Sequence, residues 1–195
     1  LIWHTFLGGN NDDYSNDVAV DSSGNVYVVG RSYATWSNPV QAYSGSSDTF
    51  VSRLSNDGSL TWNTFLGGSG GDQGESITTD DRGNIYVAGR SDATWGNPVR
   101  AYSADGDAFV AELVTNGNLV WNTFLGGSAS DFGNGGIAVD DSGNVYIAGT
   151  SYSTWGCSSP TTCTMRAYTA DSDVYAAKLD SNGSLTWNTF LGGNG

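Results

Sequence analysis

The 195-residue sequence predicts an all-β fold made of β-propeller blades, namely three four-stranded antiparallel sheets of about 59 residues each and one extra strand. A Trp-x-Thr-Phe-Leu-Gly-Gly segment recurs along the chain, beginning at Trp3, Trp62, Trp121 and Trp187. Each repeat contains four runs rich in β-branched and aromatic residues, and no window has a convincing helical period. Four strands at nearly constant spacing, with glycine and aromatic motifs in every unit, indicate propeller blades.

The second repeat shows the four predicted strands most clearly. They are Ser76–Thr79, Asn84–Gly89, Ala108–Leu113 and Leu119–Phe124. An Asp-x-x-Gly turn at 80–83 joins the first pair, and an Asn-Gly turn at 116–117 joins the last pair. Such turns supply the positive-φ positions that short antiparallel connections require. The segments between strands two and three, and between successive units, are longer, so we expect any binding site at that end.

The repeat spacing sets the domain boundaries. Residues 1–9 are predicted to be the outer fourth strand of a preceding or partner blade, and 10–68, 69–127 and 128–195 are blades 1, 2 and 3. The first spacings are 59 residues and the last is 66, because six residues are inserted around Cys157–Cys163 and one between Gly127 and Ile137. Insertions confined to loops are typical of a repeated structural unit.

Two motifs in fixed order resemble the SBBP family of β-propeller repeats. One is the Trp/Tyr-x-Thr-Phe/Tyr-Leu-Gly-Gly strand, present at 62–68 and 121–127. The other is the Asp-x-x-Gly-Asn-Val-Tyr-Val-x-Gly hairpin, present in similar form at 80–89 and 140–149. The resemblance extends over the whole chain. It implies a secreted or surface protein of bacteria or archaea, and it supplies no catalytic residues.

The number of blades predicts an assembly. Propellers close with about four to eight blades, whereas this sequence contains three. Two apolar blade faces would then stay open to water, which a stable fold avoids. We therefore expect the partners to be further blades of a longer parent chain, or neighbouring copies that form an oligomer or a filament.

Composition excludes two classes of partner. The formal net charge is −13, and the basic residues are scattered, so binding to nucleic acid or to anionic lipid is not expected. No apolar run approaches the roughly 18 residues that a membrane span needs. The only cysteines, Cys157 and Cys163, are predicted to form a local disulfide rather than remain free thiols. A disulfide favours an extracellular or cell-surface location.

Two sets of aromatic residues recur at equivalent positions in the long loops. They are Trp36, Trp95 and Trp155, and Tyr43, Tyr102 and Tyr168. These rings are the candidate ligand-binding residues, as platforms for sugars. The alternative is that they anchor a loop that has no core of its own, and we favour that packing role.

Two sets of aspartates also recur. Asp13, Asp72 and Asp131 follow the Gly-Gly pair, and Asp48, Asp107 and Asp173 precede the third strand. Oxygen-rich loops can hold calcium, which makes the first set a weak calcium candidate. Aspartates that accept backbone N–H bonds in turns produce the same pattern, so we expect no metal and no other cofactor.

The sequence predicts no enzyme. A single active site should break the repeat symmetry, and the residues that do so, Glu75, Glu112 and Arg82, form no recognisable catalytic constellation. The only histidine, His4, replaces an asparagine of the repeated strand. The predicted function is a non-catalytic extracellular scaffold for protein binding or self-assembly. The alternative is a lectin-like propeller that binds carbohydrate through the repeated Trp/Tyr loops.

Overall fold

The computed structural model describes residues 1–156 and 164–193, and strands are the only regular elements in those ranges. The first sheet comprises β1 (Asp13–Val20), β2 (Val26–Ser32), β3 (Asp48–Leu54) and β4 (Leu60–Leu66). The second comprises β5 (Asp72–Thr79), β6 (Ile85–Ser91), β7 (Asp107–Leu113) and β8 (Leu119–Leu125). The third comprises β9 (Asp131–Phe132), β10 (Ile137–Val139), β11 (Val145–Ser151), β12 (Asp173–Leu179) and β13 (Leu185–Leu191).

Each sheet is an antiparallel meander in which four strands pair in chain order, and in the third sheet β9 pairs in addition with β11. The second sheet, for example, has the order β5-β6-β7-β8, and the other two follow the same pattern. This topology confirms the predicted all-β fold of three four-stranded blades. Within the described ranges there is no helix that could cross a bilayer.

The first strand of blade 2 begins at Asp72, four residues before the predicted start. Its extra residues pair with the end of β6 beyond a β-bulge between Gly74 and Ser76. Gly89 lies opposite Gly74, and a Cβ at Gly89 would overlap the carbonyl oxygen of Gln73. The glycine that closes the repeated hairpin motif therefore makes room for the bulge.

The first strand of blade 3 differs from its two counterparts because it is divided. Both β9 and β10 pair with β11, and residues 133–136 lie between them. This segment holds the extra residue of the repeat, and Gly136 has a φ of 108°. A single predicted strand is thus two short ones, since a glycine-rich segment with Gly136 at positive φ interrupts the ladder.

Two apolar cores hold the three blades together, and each lies between neighbouring sheets. We call the side of a blade that faces the preceding blade its leading face, and the opposite side its trailing face. Between blades 1 and 2, Tyr27 and Val51 pack against Ile77 and Val87. Between blades 2 and 3, Tyr86, Ala108 and Leu125 belong to one cluster with Ile147 and Tyr175. The blades thus stack leading face on trailing face.

Residues 1–9 form no strand with any described residue, although the sequence predicts one there. An outer strand pairs only with the third strand of its own blade, and the described chain has no such strand before residue 13. The segment nevertheless lies where an outer strand of a preceding blade would lie. The Trp3 indole donates to the carbonyl of Asn56 in the β3–β4 turn at 3.0 Å.

Candidate functional site

The three loop tryptophans are buried in their own blades. Trp36 packs edge-on against Phe50 and Phe65, with ring centroids 5.7 and 6.0 Å away. The same arrangement recurs for Trp95 with Phe109 and Phe124 and for Trp155 with Tyr175 and Phe190. Each indole is at most 7% exposed. Their geometry is that of a packing anchor, with little ring surface left for a sugar.

The loop tyrosines lie beside the same clusters. Tyr43, Tyr102 and Tyr168 approach Phe65, Phe124 and Phe190, with centroids 5.5–5.7 Å apart. The Tyr102 hydroxyl donates to the carbonyl of Asp92, and that of Tyr168 donates to the carbonyl of Asp171. These contacts hold the loop in place. Ligand binding by the Trp/Tyr set stays a prediction.

The long β2–β3 loop also covers the outer edge of its blade. The amide of Val40 donates to the carbonyl of Asn63 at 2.8 Å, and the side-chain amide of Asn63 donates to the carbonyl of Trp36 at 3.1 Å. Equivalent bonds join Val99 to Asn122 in blade 2 and Met165 to Asn188 in blade 3. Because these bonds occupy the edge strands, the outer edges are poor templates for another strand.

The aspartates that begin the first strands accept hydrogen bonds from loops. Asp72 accepts from the Gly68 amide at 2.9 Å and from the Ser91 hydroxyl. Asp131 accepts from the Gly127 amide at 2.8 Å and from the Ser151 hydroxyl. Burial raises the pKa of Asp72 and of Asp131 to about 6, although these bonds oppose the shift. The network anchors the connection between blades.

The same network is incomplete in blade 1. Asp13 accepts from the Gly9 amide at 2.8 Å, but its Oδ1 has no hydrogen-bond partner among the described residues. The indole nitrogen of Trp36 also finds none there. In blade 3 the corresponding indole, that of Trp155, donates to Asp131 at 3.0 Å. Blade 1 therefore lacks hydrogen bonds that blade 3 has at the same loop end.

The second aspartate set closes tight loops. Asp48 accepts from the amides of Ser44 and Gly45 at 2.7 and 3.0 Å. Asp107 and Asp173 accept equivalent bonds from Ser103 and Thr169. Within the described ranges, no three His, Cys, Asp or Glu side chains converge as metal ligands. The calcium hypothesis stays untested, and Cys157 and Cys163, with their predicted disulfide, lie outside the described residues.

The leading face of blade 1 is open to solvent. Val18 of β1 occupies the repeat position of Ile77 in β5, yet Val18 is 56% exposed and Ile77 is 5% exposed. Val26 and Val28 are half-buried, whereas their counterparts in blade 2 are fully buried. Blade 2 has a preceding blade in the described chain, whereas blade 1 has only residues 1–9 before it.

The trailing face of blade 3 is open in the same way. Val174 is 51% exposed, whereas Ala108 at the same position of blade 2 is fully buried. Leu191 is 52% exposed, whereas Leu125 is fully buried. These two faces depart from the repeat pattern of burial, and they are the candidate functional surfaces.

A smaller site lies where the first strands of the blades meet, at the loop end. A cavity of about 110 Å³ is lined by Arg31, Glu75, Arg90 and Phe132, among others. Burial raises the pKa of Glu75, and the charge of Arg31 partly offsets this rise. The sequence signalled Glu75 as a break in the repeat but not its arginine neighbours, because the meeting of three blades brings them together.

Aromatic rings lie beside the arginines of this cavity, and those of Tyr14 and Tyr33 are exposed. The Arg31 guanidinium lies 5.6 Å from the Tyr14 ring centroid and 5.0 Å from that of Tyr33. Arg90 lies 4.8 Å from the Phe132 centroid and forms a 2.9 Å ion pair with Asp92. Sequence reasoning missed these rings, since Tyr14, Tyr33 and Phe132 are not a repeated set.

The fold and its three repeated units define a β-propeller repeat protein. A family model described as "Beta-propeller repeat" matches residues 2–35, 61–94 and 120–154, which together make up just over half of the chain. The chain therefore belongs to the SBBP β-propeller repeat family, as the sequence motifs predicted. No curated protein sequence matches it.

One solved structure that the comparison matched is that of a protein of unknown function from Bacteroides caccae, determined at 1.35 Å resolution. It is 14% identical, with a TM-score of 0.32, and the match covers 93% of this chain and 83% of the other.

Proposed function

We propose that this protein is a non-catalytic scaffold whose two open blade faces dock further propeller blades. The observation that carries the proposal is the burial of Ile77 against the exposure of Val18 at the same repeat position. The leading face of blade 2 is buried by the trailing face of blade 1, so a blade of this kind buries its leading face once a partner is present. Covering such apolar surface contributes about 25 cal/mol per Å², which must exceed the entropic cost of association.

The faces, rather than the edges, are the contact surfaces in this proposal. Hydrogen bonds from the long loops occupy the outer edges, for example that from Val40 to Asn63. Hydrophobic packing between faces already joins the blades twice within the chain. We place the protein outside the cell or on its surface, on the strength of the predicted Cys157–Cys163 disulfide.

The test is a matched pair of charge substitutions. Val174 on the open trailing face and Val120 on β8 are 51% and 52% exposed, so Val174→Glu and Val120→Glu place the same charge in similarly exposed positions. We expect sedimentation velocity of the 195-residue chain to show concentration-dependent association that Val174→Glu weakens and Val120→Glu does not. Equal effects of the two substitutions, or no association by any variant, would contradict the proposal.

Carbohydrate binding is the second candidate function. The residues that favour it in the structure differ from the loop Trp/Tyr set that the sequence suggested. Tyr14 and Tyr33 are exposed around Arg31, whereas the loop tryptophans are buried. Exposed aromatic faces beside polar planar groups suit sugar rings, which present both C–H and hydroxyl groups. On this second proposal, we expect glycan-array binding to be lost in Tyr33→Ala and retained in Tyr43→Ala. If no glycan on the array is bound, carbohydrate binding is excluded as the function and the scaffold proposal remains.

A further inference from the structure

Residues 1–7 and strand β13 carry the same part of the repeat. The first reads Leu-Ile-Trp-His-Thr-Phe-Leu, and residues 185–191 read Leu-Thr-Trp-Asn-Thr-Phe-Leu. Trp3 thus corresponds to Trp187, and Leu7 corresponds to Leu191. One copy of this sequence lies against the leading face of blade 1, and the other forms the outer strand of blade 3.

Residues 1–7 contact blade 1 as an outer strand contacts the blade that follows it. The Trp3 indole donates to the carbonyl of Asn56 at 3.0 Å, just as that of Trp62 donates to Thr115, also at 3.0 Å. Leu7 packs against the cluster of Trp36, Phe50 and Phe65. Phe6, the neighbour of Leu7, points away from blade 1, and its side chain is 93% exposed. We call residues 1–7 the strap.

The strap covers the leading face incompletely. A cavity of about 210 Å³ remains between Thr5–Leu7 and the blade 1 residues Val28 and Phe50. Apolar side chains that line a gap lose the dispersion contacts that a well-packed partner would supply. Since the strap also pairs with no described strand, its hold on blade 1 depends on a few side-chain contacts.

From these features we propose that the strap is a displaceable cap, and that its place on blade 1 is taken by strand β13 of a second copy of this chain. The two segments carry the same repeat positions, so they compete for the Asn56 carbonyl and for the Leu7 position. The result is a head-to-tail contact between the trailing face of blade 3 and the leading face of blade 1. This inference rests on the proposed function, because it identifies the blade that docks.

An arginine–tryptophan contact supports a second copy as the occupant. Between blades 2 and 3, the Arg100 guanidinium lies 5.9 Å from the Trp155 ring centroid. Arg166 holds the position of Arg100 in blade 3, and Trp36 holds that of Trp155 in blade 1. Head-to-tail docking would bring Arg166 of one copy over Trp36 of the next.

Competition makes the strap a regulator of assembly. A binding-competent state that is populated only in part weakens the apparent affinity by that fraction. If the strap is open in about a tenth of the molecules, removing its contacts should lower the apparent dissociation constant about tenfold.

The experiment compares strap variants by sedimentation velocity over a concentration series of the whole chain. In Trp3→Ala/Leu7→Ala the two side chains that touch blade 1 are truncated, and we expect a dissociation constant at least about tenfold lower than that of the unmodified chain. Phe6→Ala is the matched control, since Phe6 faces solvent in the same segment. Adding Trp187→Ala/Leu191→Ala to the strap variant should raise the dissociation constant again, because these side chains of β13 would bind in place of the strap.

Circular dichroism at the working temperature checks that each variant is folded. If the double variant unfolds, Trp3→Phe replaces it. This substitution removes the indole N–H donor and part of the ring, and it should tighten association in the same direction. A dissociation constant that does not change in the strap variant would refute the role of the strap as a displaceable cap. If the tighter association of the strap variant persists when Trp187→Ala/Leu191→Ala is added, β13 is not the segment that takes the place of the strap. In both cases association that stays sensitive to Val174→Glu upholds the proposed function, whereas insensitivity to Val174→Glu contradicts that function as well.

Discussion

The indole of Trp62 in blade 1 donates a hydrogen bond of 3.0 Å to the backbone carbonyl of Thr115 in blade 2. The ring also lies over Gly117, which has a φ of 84°, and a Cβ there would be 3.0 Å from the indole Cε3. The turn glycine thus serves two purposes, because it permits the left-handed backbone and leaves room for the tryptophan. Trp121 lies over Gly183 in the same way.

Replacement of Trp62 should loosen blade 1 from blade 2. We expect Trp62→Ala to lower the free energy of unfolding by about 2–3 kcal/mol, somewhat below the usual cost for a fully buried tryptophan, since Trp62 is half-buried. Trp187→Ala is the control, because no described blade follows β13, and its cost should be smaller. Urea unfolding at a concentration where the chain is monomeric measures both. Equal losses would show that the Trp62 contact to the next blade adds no stability.

The hairpin glycine opposite the bulge should resist substitution. A Cβ at Gly89 would overlap the carbonyl of Gln73 and lie 2.8 Å from Cε1 of Phe109. We expect Gly89→Ala to cost about 3 kcal/mol of unfolding free energy, as overpacking against backbone does. Gly193→Ala has nothing within 4 Å and should be neutral. Thermal or urea unfolding of the two variants measures the difference in stability. If Gly89→Ala is as stable as the unmodified chain, the bulge can relax to accommodate the Cβ.

The buried aspartates predict the direction of the pH dependence. Burial raises the pKa of Asp72 and Asp131 to about 6, above the value of about 3.9 in an unfolded chain. Between these values the folded state binds more protons than the unfolded state. Stability should therefore rise as pH falls from about 7 to about 4. Urea midpoints at pH 7 and pH 5 measure the rise.

Two substitutions assign this pH dependence. Asp72→Asn removes one of the titrating groups, so the gain in stability between pH 7 and pH 5 should shrink. Asp57→Asn is the control, because hydrogen bonds from Ser55 and Ser59 hold the pKa of Asp57 below its usual value, and the group stays ionised across this range. A midpoint that falls on acidification to pH 5 would refute the assignment.

The cysteine pair predicts a covalent bond with little effect on overall stability. The loop between Cys157 and Cys163 is shorter than the roughly 15-residue loop for which a disulfide contributes about 3 kcal/mol. Mass spectrometry of freshly isolated protein should show no alkylation before reduction and two alkylated thiols after it. Reduction should change the thermal midpoint only slightly. Two free thiols in the unreduced protein would exclude the bond.

Most of the fold could be predicted because each blade is locally encoded. The strand runs and the Asp-x-x-Gly and Asn-Gly turns lie close together in sequence, so the four strands of blade 2 were located to within a few residues. The predicted strand bounds were wrong at two places where the backbone conformation depends on one glycine. The early start of β5 depends on the bulge opposite Gly89, and the division of the first strand of blade 3 depends on Gly136.

The sequence by itself determined the number of blades, their order, and the family to which the chain belongs, because a repeat is visible as periodic identity. It left two alternatives for the loop tryptophans, and only the tertiary structure showed that the side chains of Trp36, Trp95 and Trp155 are buried. Only the tertiary structure distinguished Val18 from Ile77, since equal repeat positions have equal local preferences. Their burial differs because hydrophobic contact depends on which neighbour is present in space.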